Sequence, residues 1–324
     1  MSAKKNNHTL LKVTMAAAGI GAAVAYGKAR AAEKKKGNTA IPADENRTTG
    51  ENDIYFVGGG LGSLAGAAYL IRDAGWEGKR IHILEGMPIL GGSNDGSGTP
   101  AEGFVCRGGR MLNEETYENF WELFSDIPSL DWEGHSVTEE ILNFDHLHPT
   151  HAQARLIDKE GNILDVHSMG FNNADRMALG KLLSTPEEKL DDMTIAEWFK
   201  DTPHFFETNF WYMWQTTFAF QTWSSLFEFK RYMNRMIFEF SRIETLEGVT
   251  RTPYNQYESV ILPIQKWLES HGVDFSIRAT VTDIDFKDGE KITAAAIHLD
   301  RGGEEEIITL KDGDLCIMTN GCMT

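Results

Sequence analysis

Four residues early in the chain, Gly58, Gly60, Ser63 and Glu85, have the types and the spacing of a site for a dinucleotide. The glycines allow a tight turn and let the backbone approach phosphate oxygens, and the small Ser63 stands where the pattern usually has its third glycine. Glu85 follows Ser63 by about 20 residues, the separation expected of an acid that binds a ribose hydroxyl. An acid at this position favours a ribose without a 2′-phosphate.

The residues around these four predict the elements that would position them. Residues 54–57 are a short apolar run of strand type, and the amphipathic run over 61–73 is typical of a helix. Residues 80–84 predict a second strand that ends at Glu85. The helix N-terminus would offer free N–H groups and a positive dipole end to an anion. A glycine pattern alone is a weak signal that an ordinary turn explains, but with the strand, the helix and the acid it predicts nucleotide binding.

Two further glycine-rich segments are candidates for contact with the ligand. Backbone that follows the second strand can lie against a ligand, although a flexible loop explains the same composition. In the first segment the candidates are Gly91, Gly92 and Ser93. In the second segment they are Arg107, Gly108, Gly109 and Arg110. Arginines that flank paired glycines can hold a phosphate by charge and by backbone N–H groups, whereas alone they would be solvated surface charges. A helix is predicted next, over 113–125.

Charge is distributed unevenly along the chain, and this limits the kinds of partner. The 324 residues carry a net charge of −17, but residues 1–36 hold eight lysines and arginines against one glutamate, or +7, which leaves −24 for the rest. A body this acidic is not expected to bind nucleic acid. The basic segment could contact an anionic membrane surface. With 41% hydrophobic residues the body is predicted to be globular, with two domains or one domain and an insertion.

Cysteine usage and the N-terminal segment favour a cytoplasmic location, with peripheral membrane contact as an option. Cys106, Cys316 and Cys322 form neither a CxxC pair nor a metal-binding spacing, so we predict a reducing compartment and no metal site. Residues 13–26 are uncharged but shorter than the roughly 20 residues that a membrane-spanning helix needs. A cleaved signal peptide is the alternative interpretation of this segment.

The middle of the chain is rich in aromatic residues. A β-hairpin is predicted over 154–166, and residues 205–240 then contain fourteen Phe, Trp and Tyr residues. The stretch 208–227 is uncharged, but its Gln, Ser and Thr side chains make it too polar to lie in lipid. Two interpretations stay open. The rings could form a helical core, or they could line an apolar tunnel that holds a long-chain substrate.

The end of the chain returns to the pattern of its beginning. We predict a helix over 261–270, strands over 279–286 and 315–318, and a hairpin turn over 287–290. In two-part flavoproteins, a strand such as 279–283 passes the adenine, and a strand that ends in a Thr/Asn-Gly turn passes the dinucleotide again. The residues expected to do so here are Val281, Thr319, Asn320 and Gly321.

These patterns predict an α/β fold with a discontinuous Rossmann-type nucleotide-binding domain and a mainly helical insertion. An extension and linker occupy residues 1–50. The nucleotide-binding domain consists of an N-terminal segment over 51–150 and a C-terminal segment over 246–324, and the insertion over 151–245 separates them. Within the insertion, Ser184 is expected to cap one helix weakly, and Thr194 with Glu197 matches a capping box.

Several long segments occur in an order that resembles one protein family. They include GGGLGSLAGAAYLIRD, RGGRMLNEETYENFWELFSDIPSL, WYMWQTTFAFQTWSSLFEFKRYMNRMIFEF and TNGCMT. From about residue 50 to Thr324 the chain is similar to the oleate hydratases, also called myosin-cross-reactive antigens. The resemblance implies an FAD-dependent enzyme that adds water across a cis double bond of a long-chain unsaturated fatty acid, with no net redox change. It also implies that full-length relatives are homodimers.

The resemblance further implies roles for individual residues. Tyr232 would donate a proton to the alkene, and Glu114 would activate the water, with Asn113 beside it. One branch of the family has a glutamate directly after RGGR, where this chain has Met111, so Glu115 is the alternative base. Without the resemblance, Glu114 would be a first-turn carboxylate favoured by the helix dipole, and Tyr232 would be a core ring.

Two alternative functions stay open at this point. The fold alone is equally compatible with a flavin-dependent oxidoreductase that acts on a lipid. An inactive remnant is the other alternative, because family members continue well beyond the TNGCMT segment and this chain ends at Thr324.

Overall fold

The described portion of the chain contains eight α-helices and nine strands, together with short 3-10 turns and a π-helical turn at Tyr257–Ile261. The computed structural model describes residues 52–94, 96, 98–104, 111–153, 156–236, 239, 242 and 245–319. The helices are α1 (Leu61–Arg72), α2 (Glu118–Phe124), α3 (Val137–Leu147), α4 (Asn173–Ser184), α5 (Ile195–Trp198), α6 (Asn209–Phe218), α7 (Leu226–Met236) and α8 (Leu262–Ser270). The strands are β1 (Ile54–Val57), β2 (Ile81–Glu85), β3 (Gly98–Thr99), β4 (Gly103–Phe104), β5 (Asp274–Ile277), β6 (Thr280–Phe286), β7 (Ala294–Asp300), β8 (Glu305–Thr309) and β9 (Leu315–Met318).

The chain divides into two compact units. Residues of 52–148 and 250–319 form one, which we call the sheet unit, and residues of 149–249 form the other, which we call the helical unit. The sheet unit has a mixed α/β fold with a parallel sheet, as the alternation of strand and helix patterns predicts.

The parallel sheet of the sheet unit has the strand order β5-β2-β1-β9. β1 and β2 are almost continuously apolar because one face of the sheet packs against helices and the other against further strands. Ile54 and Phe56 of β1 are buried with Ile81 and Ile83 of β2 in the cluster that also includes residues of α1 and α8. A Cβ on Gly66 of α1 would lie 3.0 Å from the Phe56 ring, so the small residues of α1 allow the helix to approach the sheet closely.

A second, antiparallel sheet has the order β6-β7-β8. The turn predicted between β6 and β7 is present, and the Lys287 N–H donates to the Thr293 carbonyl at 2.8 Å. On the apolar face of this antiparallel sheet, Ile297 and Leu299 of β7 pack with Leu84 of β2 in a small core. The carboxyl end of β2 is therefore covered by the start of this sheet.

Side-chain caps define the N-terminal ends of two helices in the helical unit. The predicted capping box of Thr194 and Glu197 is present, and Asn172 forms a second one with Asp175. The prediction that Ser184 caps a helix start is wrong. Ser184 is the last residue of α4, and its hydroxyl donates to the Lys181 carbonyl at 3.0 Å. It therefore provides a hydrogen-bond donor to a carbonyl in the last turn of α4.

Aromatic side chains fill the core of the helical unit. The rings of Phe199 and Phe205 are fully buried and stack with centroids 3.8 Å apart, and the rings of Trp211 and Phe229 contact Phe205. These rings therefore pack as a helical core, which is the first of the two interpretations of the aromatic segment. In the described portion of the chain, no helix has both the length and the apolar character needed to cross a membrane.

Two predicted elements differ from the structure. The helix predicted over 113–125 begins only at Glu118, because the Asn113 side chain accepts from the Glu115 N–H at 2.9 Å and stabilises a turn instead. The hairpin predicted over 154–166 is reduced, among its described residues, to a bridge between Ile157 and Ile163. Its outward side chains are exposed, so little burial supports longer strands there.

Candidate functional site

The loop between β1 and α1 has the backbone that the glycine pattern predicts. Gly58 has a φ of +101°, and a Cβ at this position would lie 2.6 Å from the Thr319 carbonyl oxygen. Gly60 is the N-cap of α1, and no side chain among the described residues caps this helix. The N–H groups of a first helical turn have no intrahelical partner, so the loop leaves donors for an anion.

Glu85 connects this loop to the loop after β2. One carboxylate oxygen, Oε2, accepts from the Gly59 N–H at 2.7 Å, and the other, Oε1, accepts from the Met87 N–H at 2.7 Å. Each carboxylate oxygen has a second lone pair and can accept a further hydrogen bond. The structure thus places Glu85 at the carboxyl end of β2, where a ribose hydroxyl could donate to it, and gives it a role in holding both loops.

Ser63 has a role beyond being small. Its side chain is fully buried, and its Oγ lies 2.5 Å from the Thr319 Oγ1. Thr319 follows β9, and its N–H donates to the Val57 carbonyl at 2.8 Å. The Ser63 hydroxyl therefore ties the first turn of α1 to the end of β9, a contact that a third glycine could not make. In the sequence, this contact is indicated only by the serine at the position where the pattern usually has glycine.

The glycines after β2 lie against the first loop. Gly91 and Gly92 have φ values of +110° and +56°, and the Gly91 N–H donates to the Gly59 carbonyl at 2.9 Å. A Cβ on Gly92 would lie 3.3 Å from the Gly60 Cα. The two glycine loops are packed backbone to backbone, with Ser93 next in the chain in a short 3-10 turn.

A cavity of about 130 Å³ lies beside these loops, at the carboxyl ends of β1 and β2. It is lined by Val57, Gly58, Leu84, Gly86, Ala279, Thr280 and Val281. Val281 was expected at the site as part of the strand 279–283, which also contains Ala279 and Thr280, whereas Leu84 and Gly86 were missed. Gly86 directly follows Glu85, and a Cβ there would lie 2.9 Å from the Thr280 Oγ1, so this glycine permits the close approach of β6.

The remaining predicted cofactor contacts lie outside the described residues. They are Arg107, Gly108, Gly109, Arg110, Asn320 and Gly321. The cysteine that is described, Cys316 in β9, has a thiol pKa raised by burial, which is the opposite of what a reactive thiolate needs.

The predicted base is on the surface of the sheet unit. Glu114 is exposed, and its carboxylate lies 3.4 Å from the His146 Nε2. Asn113 beside it is buried, and its Oδ1 accepts from the Glu115 N–H and from the Thr116 hydroxyl at 3.3 Å. Asn113 thereby fixes the backbone turn that carries Glu114 and Glu115, and both of these glutamates are exposed.

The predicted proton donor belongs to the helical unit. Tyr232 lies in α7 and is 43% exposed, and its ring makes edge contacts with Phe218 and Phe220 at centroid distances of 5.7 and 5.1 Å. Its near neighbour Lys230 is buried, and the Lys230 ammonium donates to the Thr185 carbonyl. Tyr232 is therefore a half-exposed side chain on a well-packed helix, and not the core ring of the alternative interpretation.

Solved structures resemble this chain at low sequence identity. An oxidoreductase from Methanosarcina mazei matches with a TM-score of 0.46 at 16% identity, over 83% of this chain and 59% of that one. A CLA-producing fatty acid isomerase from P. acnes matches with a TM-score of 0.45 at 12% identity, over 79% and 57% of the two chains.

Two curated relatives are much more similar in sequence. A linoleate hydratase from Lactiplantibacillus plantarum is 43% identical, over 85% of this chain and 52% of the relative. An oleate hydratase from Streptococcus pyogenes serotype M49 is 40% identical, over 85% of this chain and 46% of the relative. The chain thus spans about half the length of the curated relatives it matches. The profile of the MCRA family matches residues 51–324, and the chain belongs to this family.

Proposed function

We propose that the sheet unit binds FAD through a discontinuous Rossmann-type domain, with residues 51–150 and 246–324 as its two segments. The pyrophosphate would lie at the N-terminus of α1, and the ribose would donate to Glu85. The cavity lined by Ala279, Thr280 and Val281 would hold the adenine. Support comes from the uncapped helix start and from the carboxylate at the end of β2.

The residues present fit the adenosine end of such a cofactor. The Cβ position of Gly60 is at least 4.0 Å from every atom of the described residues outside its chain neighbours, so the backbone there can face a ligand directly. The cavity walls are mainly apolar, as a flat heteroaromatic ring requires, and Thr280 contributes a polar side chain. In the family resemblance, the bound flavin shapes and charges the site without hydride transfer.

We further propose that the protein hydrates a cis double bond of an unsaturated long-chain fatty acid, with residues 151–245 as the substrate-binding insertion. The observation that carries this proposal is the 43% and 40% identity to a linoleate hydratase and an oleate hydratase. The half-exposed aromatic face around Tyr232 supports binding of an acyl chain by the helical unit.

The chemistry requires one proton donor and one proton acceptor. The Tyr232 hydroxyl would donate its proton to one alkene carbon, while a water oxygen bonds to the other carbon and gives its proton to Glu114. Exchange with solvent restores both groups, so no electrons are gained or lost. An alkene is a very weak base, and positioning must therefore provide much of the rate enhancement. Asn113 would act as a positioning residue, because its side chain holds the turn that carries Glu114.

The experiment is to supply FAD and oleate or linoleate in heavy water and to analyse the product by mass spectrometry. We expect a product heavier by one water that carries deuterium on the carbon next to the new hydroxyl. Stoichiometric consumption of oxygen or NAD(P)H, with no hydroxy acid formed, would favour the oxidoreductase alternative and contradict the proposal.

Matched variants test the two assigned groups separately. Tyr232→Phe and Glu114→Gln should each lower kcat by about 100-fold or more, the usual contribution of general acid–base catalysis. Tyr212→Phe in the helical unit and Glu115→Gln in the sheet unit are controls, since both residues are also exposed. Loss of activity in Glu115→Gln with retention in Glu114→Gln would transfer the role of the base to Glu115.

A further inference from the structure

One arginine of the sheet unit has a backbone conformation that disfavours side chains. Arg278, between β5 and β6, has a φ of +57°, and it is the sole non-glycine residue of this unit with a left-handed φ among the residues that the structure describes. Glycine adopts this conformation without steric cost, whereas a side chain makes it unfavourable. Strain of this kind tends to be retained at ligand sites, where the side chain has a use.

The Arg278 side chain is also unusual, because it has no hydrogen-bond or ion-pair partner among the described residues. The other described arginines of this unit each bind an acid or a carbonyl: Arg72 binds Asp73, Arg80 binds Asp53, Arg251 binds the His148 carbonyl, and Arg301 binds Glu306. The Arg278 side chain is exposed, and among the described residues its guanidinium forms no hydrogen bond or ion pair. In a unit rich in carboxylates, a guanidinium left without one is available for a ligand.

The position of Arg278 relates it to one region of the proposed cofactor site. Its N–H donates to the Met87 carbonyl at 3.2 Å, and the next N–H, of Ala279, donates to the Glu85 carbonyl at 2.9 Å. The three residues that follow Arg278 line the cavity. Along the site, the α1 N-terminus would bind the phosphates and Glu85 the ribose. The group beyond the ribose, next to Met87, would then be the base.

We propose that Arg278 is a specificity-determining residue whose guanidinium covers the open face of the adenine ring in this cavity. A guanidinium is planar and weakly hydrated, and it stacks on aromatic faces. The inference rests on the proposed function, because it assumes that the cavity holds the adenosine end of FAD. It adds a contact that selects for the base, in addition to the backbone and Glu85 contacts that serve any dinucleotide.

The test compares two glycine substitutions at strained positions. Arg278→Gly removes the side chain and relieves the φ of +57°, and Asp192→Gly does the same at a φ of 61° in the helical unit. Binding of FAD and of ADP is measured by calorimetry, and the melting temperature is measured without ligand. We expect both variants to melt at or above the wild-type temperature. We expect Arg278→Gly alone to weaken the binding of FAD and of ADP by about two- to fivefold, the change typical of an exposed cation–π contact.

The outcomes separate this inference from the proposed function. Wild-type affinity for ADP in Arg278→Gly would overturn the role of Arg278 and leave the FAD proposal intact, whereas a wild-type chain that binds neither FAD nor ADP would overturn both. Arg278→Lys keeps the charge without the flat surface, so it should lose affinity for FAD and ADP as well. Wild-type affinity in Arg278→Lys would identify a contact that needs only the charge, such as one to phosphate, and would contradict adenine stacking.

Discussion

At the scale of single residues, the candidate site depends on positions where a side chain would not fit. Gly58→Ala should destabilise the protein by about 1–3 kcal/mol, because the φ of +101° is unfavourable for alanine and its Cβ would meet the Thr319 carbonyl. Gly62→Ala, in the first turn of α1, is the control, since beyond the adjacent helix backbone no atom of the described residues lies within 4 Å of its Cβ position. Alanine there should stabilise α1 by about 0.5–1 kcal/mol. Urea unfolding measures both, and equal effects would contradict this account of Gly58.

The Ser63 and Thr319 hydroxyls should be energetically coupled. Ser63→Ala and Thr319→Val should each cost about 1–2 kcal/mol, because each leaves a buried or half-buried hydroxyl without this partner. The double variant should cost less than the sum of the two, since neither hydroxyl then remains. A double-mutant cycle by urea unfolding gives the coupling, and strict additivity would show that the 2.5 Å contact contributes nothing to stability.

At the scale of elements, the local patterns predicted three of the four strands of the parallel sheet, and β5 was not predicted. β1, β2 and β9 were expected within a residue of their observed bounds, because each is a short apolar run with glycine or polar residues on both sides. α2 was expected too early, since the Asn113 side chain forms a turn where the apolar pattern favoured a helix. Such competition between a side chain and the backbone depends on local geometry that composition does not reveal.

The contacts of the candidate site residues were less accessible to prediction than their positions in the fold. Gly58, Ser63 and Glu85 were selected as candidates by type and spacing, but the Ser63–Thr319 pair joins residues 256 positions apart. The same holds for Gly86 and Thr280, which meet only when β6 reaches the end of β2. These contacts are consequences of sheet topology, and a sequence pattern specifies topology only indirectly.

The stability of the antiparallel sheet should depend on pH through a histidine–aspartate pair between β6 and β7. The His298 Nε2 of β7 lies 2.9 Å from Asp285 of β6, and this hydrogen bond, with the charges of Asp283 and Glu305, raises the pKa of His298 above 6.5. Because the His298 pKa is higher in the folded than in the unfolded protein, protonation of His298 stabilises the folded state. This stabilisation is fully present below pH 6.5 and is lost as pH rises through the folded pKa. NMR titration of Asp285→Asn should show a lower pKa for His298, and the variant should lose more stability below pH 6.5 than above it. Asp288→Asn, the same charge change in the β6–β7 turn, should leave the His298 titration in place, and an equal shift in both variants would contradict the assignment.

At the scale of the whole molecule, the chain divides into the sheet unit and the helical unit, so we expect their responses to substitution to be separable. Phe56 of β1 and Phe205 of the helical unit are both buried phenylalanines, 2% and 0% exposed. Replacement of either by alanine removes a packed ring and should cost about 3–5 kcal/mol in its own unit. These two variants are therefore a matched pair that differs in which core is damaged.

Calorimetry of the chain with and without FAD should show two unfolding transitions, because two compact units rarely unfold in one step. FAD at about 100 times its Kd should stabilise only the transition that Phe56→Ala lowers, by about 2.7 kcal/mol, since a ligand stabilises the unit that binds it. Phe205→Ala should lower the other transition and leave the affinity for FAD unchanged. A single transition that both variants and FAD shift together would contradict the separation. If FAD also stabilised the transition that Phe205→Ala lowers, the proposal that the sheet unit alone binds FAD would be contradicted.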